Sequence, residues 1–244
     1  MRVLINAVGI EQGGGLTALR GLTKELAASA AGHHFILYAG NQLELADLPP
    51  GANLEWHQAD VTVWRRRLWW EQRGLRRLLR KHNADVLYSF ANYGMFFCPV
   101  PQLLCVQNSL FFSESYRKRI LRRKSWRNRI EYRLRRRWCL WSVHWADRVL
   151  TPSISLQMAL QKEERLPPEK GIAAGLGTPP PSADDGRQFS VKDYNGSIKL
   201  LQPVLYADYK NIGVALKALQ LLRARHGGRF QLVTTADPQT HTAR

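Results

Sequence analysis

The first forty residues constrain the fold more than any other part of the chain. Residues 2–8 (RVLINAV) are an apolar run of strand length, suited to a buried parallel strand. A loop containing Gly9, Gly13, Gly14 and Gly15 follows. Leu16, Leu19, Leu22, Leu26 and Ala27 then recur at helical spacing as far as Gly32, and residues 34–39 (HFILYA) read as a second strand. Strand, loop, helix and strand at these lengths make one βαβ unit, which implies a parallel sheet covered by helices.

The alternation continues. Residues 64–82 read as a helix, 85–89 (DVLYS) and 102–106 as strands, 113–145 as mostly helical and 148–151 as a strand. Ser153 is placed to cap a helix running to about residue 164, and residues 171–174 form a short strand or turn entry. This order predicts a doubly wound α/β sheet. Residues 178–197 are rich in Pro, Gly, Ser and Asp and read as a linker. A second βαβ unit follows, with strands near 199–205 and 229–234 around a helix at 211–225. The expected organisation is therefore a Rossmann-like domain over 1–177, the linker, and the start of a second Rossmann-like domain over 198–244. Some 47 residues are too few to close that second domain, so it is expected to be incomplete.

Charge is the compositional outlier. The net charge is +17, and two segments account for all of it. Residues 64–82 hold eight basic side chains against one acid, and residues 116–148 hold thirteen against two. The remainder is close to neutral. No apolar run approaches the ~20 residues of a membrane-spanning helix. The N-terminus has one basic residue and then a strand-like run, without the pattern of a signal peptide, so a cytosolic location is expected. Cys98, Cys105 and Cys139 have neither metal-ligand spacing nor a disulfide pattern, and the seven histidines look scattered, so no protein metal site is expected.

The glycine loop between a strand and a helix N-terminus can present N–H groups to an anion, but it reads equally well as a tight turn. It is not G-x-G-x-x-G, and no acid ends the second strand, so a nicotinamide cofactor is poorly supported. Asn92 and Tyr93 follow the strand ending at Ser89, where α/β sheets collect ligands; a structural turn is the equal alternative. Ser153 lies in no nucleophile elbow.

Several stretches in order resemble glycosyltransferase family 4. These are Gly13-Gly14-Gly15, residues 69–96 (WWEQRGLRRLLRKHNADVLYSFANYGMF), residues 102–109 (QLLCVQNS), residues 146–153 (ADRVLTPS), residues 171–178 (GIAAGLGT) and residues 201–211 (LQPVLYADYKN). The resemblance implies a GT-B fold, two Rossmann-like domains with a cleft, and transfer of a sugar from a nucleotide sugar with retention and without a metal or other cofactor. It implies that Lys210 and Asn211, with Gly13, Gly14 and Gly15, hold the donor diphosphate, and that Asn92, Tyr93, Gln107 and Asn108 line the acceptor side. Cations and helix N-termini are what a leaving diphosphate needs when no metal is present. The sequence departs from the family in three places. Val204-Leu205-Tyr206 stands where relatives carry an Arg, Gln107-Asn108 stands where many carry His-Asp, and the E-x7-E motif has no counterpart before Arg244. Amides are poor proton acceptors, so general-base work at Gln107-Asn108 is not expected.

In the basic segments, arginines interleave with tryptophans, a composition suited to an anionic headgroup region. Arg65, Arg66, Trp69, Arg122, Arg123 and Trp126 are the expected membrane-facing residues. The expected function is sugar transfer to a glycan or lipid-linked acceptor at the cytoplasmic membrane face, impaired by the incomplete second domain. The alternative is a non-catalytic remnant that binds a membrane or another polyanion. Nucleic acid ranks behind both, because no zinc module, RNP signature or helix-turn-helix accompanies the charge.

Overall fold

A computed structural model describes residues 1–10, 13–29, 32–40, 53–59, 61, 63–175, 198–204 and 208–235. The chain divides into two compact units. The first is Met1–Arg117 with Leu121–Pro179, and the second is Lys118–Ile120 with Pro180–Arg244. The linker expected at 178–197 lies outside the described residues.

The first unit is built on β1 (Arg2–Ala7), α1 (Gly14–Ala28), β2 (His34–Ala39), β3 (Leu54–Gln58), α2 (Trp64–Trp69), α3 (Leu75–Lys81), β4 (Val86–Ser89), β5 (Gln102–Cys105), α4 (Trp126–Trp145), β6 (Arg148–Thr151), α5 (Ile154–Glu164) and β7 (Gly171–Ala173). The sheet order is β3-β2-β1-β4-β5-β6-β7, and every pairing is parallel. This is the doubly wound α/β architecture.

Alternation along β1 sorts its side chains between the two faces. Ile5 and Ala7 join Leu19, Phe35, Leu37, Phe90 and Cys105 in the cluster under α1. Leu4 and Val8 join Ile36, Leu75, Leu79, Leu87 and Met95 under α3. Under α4 and α5 a third cluster forms from Leu104, Val106, Phe111, Cys139, Val143, Val149, Leu156 and Leu160. Asn6 lies on the α3 face of β1 and has no exposed surface. A polar group buried there requires a partner.

Three departures from the expected elements have physical causes. Strand β3 (LEWHQ) is absent from the sequence reading. It is an edge strand with polar side chains at three of five positions, so it lacks the apolar run that marks a central parallel strand. The helix expected over 64–82 is interrupted by a π-helical turn, Trp70–Gly74. That wider turn keeps Arg67, Glu71, Leu75 and Leu79, each four apart, aimed at the sheet, where a regular α-helix would rotate them progressively away. The stretch expected to be helical over 113–145 is a π turn (Tyr116–Ile120), a 3-10 turn (Leu121–Arg123) and then α4. The Ser125 side chain caps α4 by accepting from Asn128 N–H. Ser153 caps α5 through Leu156 N–H at 3.2 Å, as its position in the sequence suggests.

The second unit contains β8 (Ile198–Gln202) and β9 (Phe230–Thr234), paired in parallel, with α6 (Ile212–His226) between them. No residue of α6 is buried, and Leu201, Val214 and Leu221 are more than 60% exposed.

Candidate functional site

Strand order reverses at β1. The chain moves outward to β2 and β3 on one side, then returns to place β4 on the other. The carboxyl ends of β1 and β4 therefore flank a topological switch point, where open α/β sheets form their ligand crevice. Three loops meet there: the one after β1 with Gly9, the one after β4 with Asn92 and Tyr93, and the one after β5 with Gln107 and Asn108.

Arg67 occupies this position. Its Nε donates to Glu71 Oε1 at 2.8 Å and its Nη2 to the Ala91 carbonyl at 2.8 Å. The guanidinium lies over the Tyr93 ring, 4.9 Å from the centroid. It also rests against Gly9, where a Cβ would fall 1.8 Å from Nη1. Glycine at position 9 is thus what admits the arginine to the crevice. Four contacts from three elements hold the planar fork in one orientation.

Glu71 has no exposed surface. Burial raises its pKa, opposed by Arg67 and by a 3.4 Å hydrogen bond from Asn6 Nδ2. Its second oxygen, Oε2, is buried without a hydrogen-bond partner. Glu71 thus anchors Arg67 through one oxygen alone, and the arginine keeps 13% of its side-chain surface exposed. In a largely desolvated place a guanidinium acts more strongly on an anion than one in water. The sequence reading counted Arg67 simply as part of a basic segment. The signal that distinguishes it is the i, i+4 pairing of Arg67 with Glu71, the only acid in residues 64–82.

The glycine loop lies beside this group. Gly13 has φ 66°, and its carbonyl accepts from Leu16 and Thr17 N–H, starting α1. Gly14 and its neighbour Gly13 are exposed, and a Cβ on Gly14 would meet nothing among the described residues. Gln107 Oε1 is 3.6 Å from the Cβ position of Gly15, so the β5 loop and the glycine loop adjoin.

The amides of the acceptor-side set are largely engaged within their own loops. Asn92 has φ 67°, and its Oδ1 accepts from Gln107 and Asn108 N–H, each at 2.8 Å. Gln107 Nε2 donates to the Phe90 carbonyl at 2.8 Å, and Asn108 Oδ1 caps the following 3-10 turn. These contacts shape the crevice wall and tie the β4 and β5 loops together. Tyr93 is half-buried, and its hydroxyl pKa is raised by that burial. Gln72, next to Glu71, braces the same wall by bonding Gly94 O and Phe96 N–H.

In the second unit, Lys210 is exposed and its ammonium lies 5.3 Å from the Tyr209 ring centroid. Asn211, which follows Lys210, has φ 53° and opens α6 without a side-chain cap, and its carbonyl accepts from Val214 N–H at 2.9 Å. The expected membrane-facing residues Arg65, Arg66, Trp69, Arg122, Arg123 and Trp126 are all exposed, Trp69 at 58% and Trp126 at 61%. Among the described residues no helix is long and apolar enough to cross a membrane.

The histidines correct the sequence reading, which had them scattered. His57 and His82 converge with Glu55 at the β3 edge, and His34 reaches the same carboxylate. Parallel pairing of β2 with β3 brings them together, and the sequence reading lacked β3.

The seven-stranded parallel sheet and the βαβ start of the second unit make an α/β, Rossmann-like protein whose fold matches GT-B neighbours. Residues 12–172, well over half of the chain, match glycosyltransferase family 4. The chain belongs to that family. No curated protein matches it in sequence. Among solved structures it is similar to WaaG, a glycosyltransferase involved in lipopolysaccharide biosynthesis, with a TM-score of 0.61 and 15% identity over 100% of this chain and 66% of that one. It is also similar to the UDP-GlcNAc 2-epimerase from Neisseria meningitidis bound to UDP-GlcNAc, at TM-score 0.56 and 13% identity over 98% of this chain and 66% of that one. The lipopolysaccharide outer core galactosyltransferase WaaB follows at TM-score 0.50 and 11% identity, over 99% and 70%. At these identities the likeness is one of fold. The chain spans 66% of the length of the first of these structures.

Proposed function

We propose that this protein transfers a sugar from a nucleotide-sugar donor to a glycan or lipid-linked acceptor, and that the crevice at the ends of β1 and β4 takes an anionic part of a substrate. Family membership supports the class of reaction. The observation that carries the crevice assignment is Arg67, fixed by Glu71, Ala91 and Tyr93 against the glycine loop.

Breaking a glycosidic bond to a nucleotide leaves charge on the departing diphosphate, and preoriented donors stabilise that charge without reorganising. Arg67 and the N-terminus of α1 at Gly13, Gly14 and Gly15 are such donors in the first unit. Lys210 and the N-terminus of α6 at Asn211 are the donor-diphosphate residues proposed in the second. Gln107 and Asn108 shape the acceptor side by hydrogen bonding; as amides they do not take a proton.

The exposed tryptophans and arginines support a finer reading, that the acceptor is met at the cytoplasmic face of an anionic membrane. Rings at the interface and guanidinium groups on phosphates each favour such docking. The same exposed residues also favour a second reading, in which the chain binds a membrane or polyanion without catalysis.

The two readings separate in a transfer assay. The protein is incubated with a panel of nucleotide sugars and a lipid-linked glycan fraction, and nucleoside diphosphate release is followed. Acceptor-dependent release that falls at least about tenfold in Arg67→Lys supports the transferase, since lysine cannot reproduce a bidentate fork. No release from any donor, with membrane binding intact, favours the non-catalytic reading.

A further inference from the structure

A second cluster of chemically capable side chains lies at the far edge of the sheet, two strands from the switch point. Glu55 and His57 are two apart on β3 and so leave the same face, opposite Ile36 and Tyr38 of β2. His82 follows α3, which packs on that face through Leu75 and Leu79. One ligand atom from each of Glu55, His57 and His82 lies within 4.8 Å of the others. The His57 and His82 ring centroids are 5.3 Å apart. Glu55 Oε1 is 2.5 Å from His57 Nε2, and the Tyr38 hydroxyl is 2.9 Å from His82 Nε2.

We infer that Glu55, His57 and His82 form a binding site for a zinc-class divalent cation. Two imidazoles and one carboxylate are a donor set for zinc, cobalt or nickel; magnesium and calcium prefer all-oxygen sites. Zinc holds its nitrogen and oxygen ligands at about 2.0–2.2 Å, so tetrahedral neighbours are about 3.3–3.6 Å apart. Side-chain adjustments of about 1 Å reach that spacing from the present one. Glu55 and His57 are partly exposed, at 38% and 30% of their side-chain surface, which leaves a path for the ion and a fourth position for solvent. His82 is buried, and Tyr38 fixes its ring in the way outer hydrogen bonds orient metal-bound imidazoles. His34, 3.4 Å from Glu55 Oε2, holds the carboxylate's other oxygen. A metal here pins the edge strand β3 to the end of α3.

The test is metal binding, which is independent of activity. Protein dialysed against chelator is titrated with zinc chloride in competition with a chromophoric chelator, and cobalt(II) is added separately to read the visible absorption of a four-coordinate site. One equivalent of zinc should bind and raise Tm. His57→Ala and Glu55→Gln should each weaken binding at least about tenfold and abolish the cobalt band, while His226→Ala in the second unit leaves both unchanged. His57 and Glu55 are partly exposed, so these variants keep the fold, which circular dichroism checks; His82→Ala is then the confirming variant. Folded wild-type protein that binds no zinc overturns the proposal, as does binding unaffected by both His57→Ala and Glu55→Gln.

Discussion

Arg67 and Glu71 form an ion pair, Nε to Oε1 at 2.8 Å, across the junction of α2 and a π turn, and only the arginine retains exposed side-chain surface. The carboxylate is the buried anchor and the guanidinium is the group that reaches the crevice. Removing one partner of a buried pair costs about 3–5 kcal/mol because the other is left uncompensated. Arg67→Met is expected to lose about 3 kcal/mol in urea unfolding at neutral pH. Arg67→Met with Glu71→Gln should recover a large part of it, since neither charge then remains. Additive losses in the double variant contradict the pairing.

Asn92 is expected to be structural to a measurable degree. It supplies both a left-handed backbone conformation and an acceptor for two N–H groups. Asn92→Ala should cost about 2–3 kcal/mol, by strain and by two unsatisfied donors. Asn92→Gly relieves the strain and should cost about 1 kcal/mol less. Equal losses in chemical denaturation show that backbone conformation does not contribute.

Glu163 gives a pH dependence of known sign. Burial disfavours its charged form, but hydrogen bonds from Arg117 and Arg136 outweigh this and lower its pKa. Arg117 grips the carboxylate at 3.0 and 3.2 Å and Arg136 at 2.7 Å, joining α5 to α4 and the loop before it. A carboxyl that ionises more readily folded than unfolded stabilises the protein above its ordinary pKa of 4.5, and that contribution fades as pH falls through the lowered value. Glu163→Gln should therefore cost about 1–2 kcal/mol at pH 7, and progressively less as pH falls below 4.5 and through the lowered value. A pH-independent difference contradicts the assignment.

The exposed basic and aromatic residues predict selective membrane binding. In co-sedimentation the protein should bind anionic vesicles well above neutral ones, with binding falling as salt rises. Trp126→Ala with Trp69→Ala should weaken it at unchanged charge. Equal binding to neutral and anionic vesicles contradicts the membrane reading.

The order of strands and helices was readable because buried parallel strands are apolar throughout and amphipathic helices keep their period. Strand β3 was not, since Glu55 and His57 break that pattern, and with it went the convergence of His57 and His82. The glycine loop and the loops after β4 and β5 were placed by the rule for strand ends. Arg67 was hidden among seven other basic residues of its segment. The i, i+4 spacing of Arg67 to Glu71, the one acid of the segment, is what separates the arginine that points inward from Arg65 and Arg66, which are exposed. The amide side chains of Asn92, Gln107 and Asn108 read as ligand contacts because sequence does not show that nearby backbone groups already occupy them.

The central claim is that Arg67 makes the crevice an anion site for a nucleotide-sugar transferase. Calorimetric titration of UDP, GDP and ADP tests it most directly. It is run on wild type, on the Arg67→Met, Glu71→Gln double variant, which leaves no uncompensated charge, and on Lys210→Met. Saturable binding of at least one nucleotide is predicted, weakened about tenfold or more in the double variant, about 1.4 kcal/mol. Undiminished affinity in the double variant, whatever Lys210→Met does, or no binding of any nucleotide to folded wild-type protein, contradicts the account.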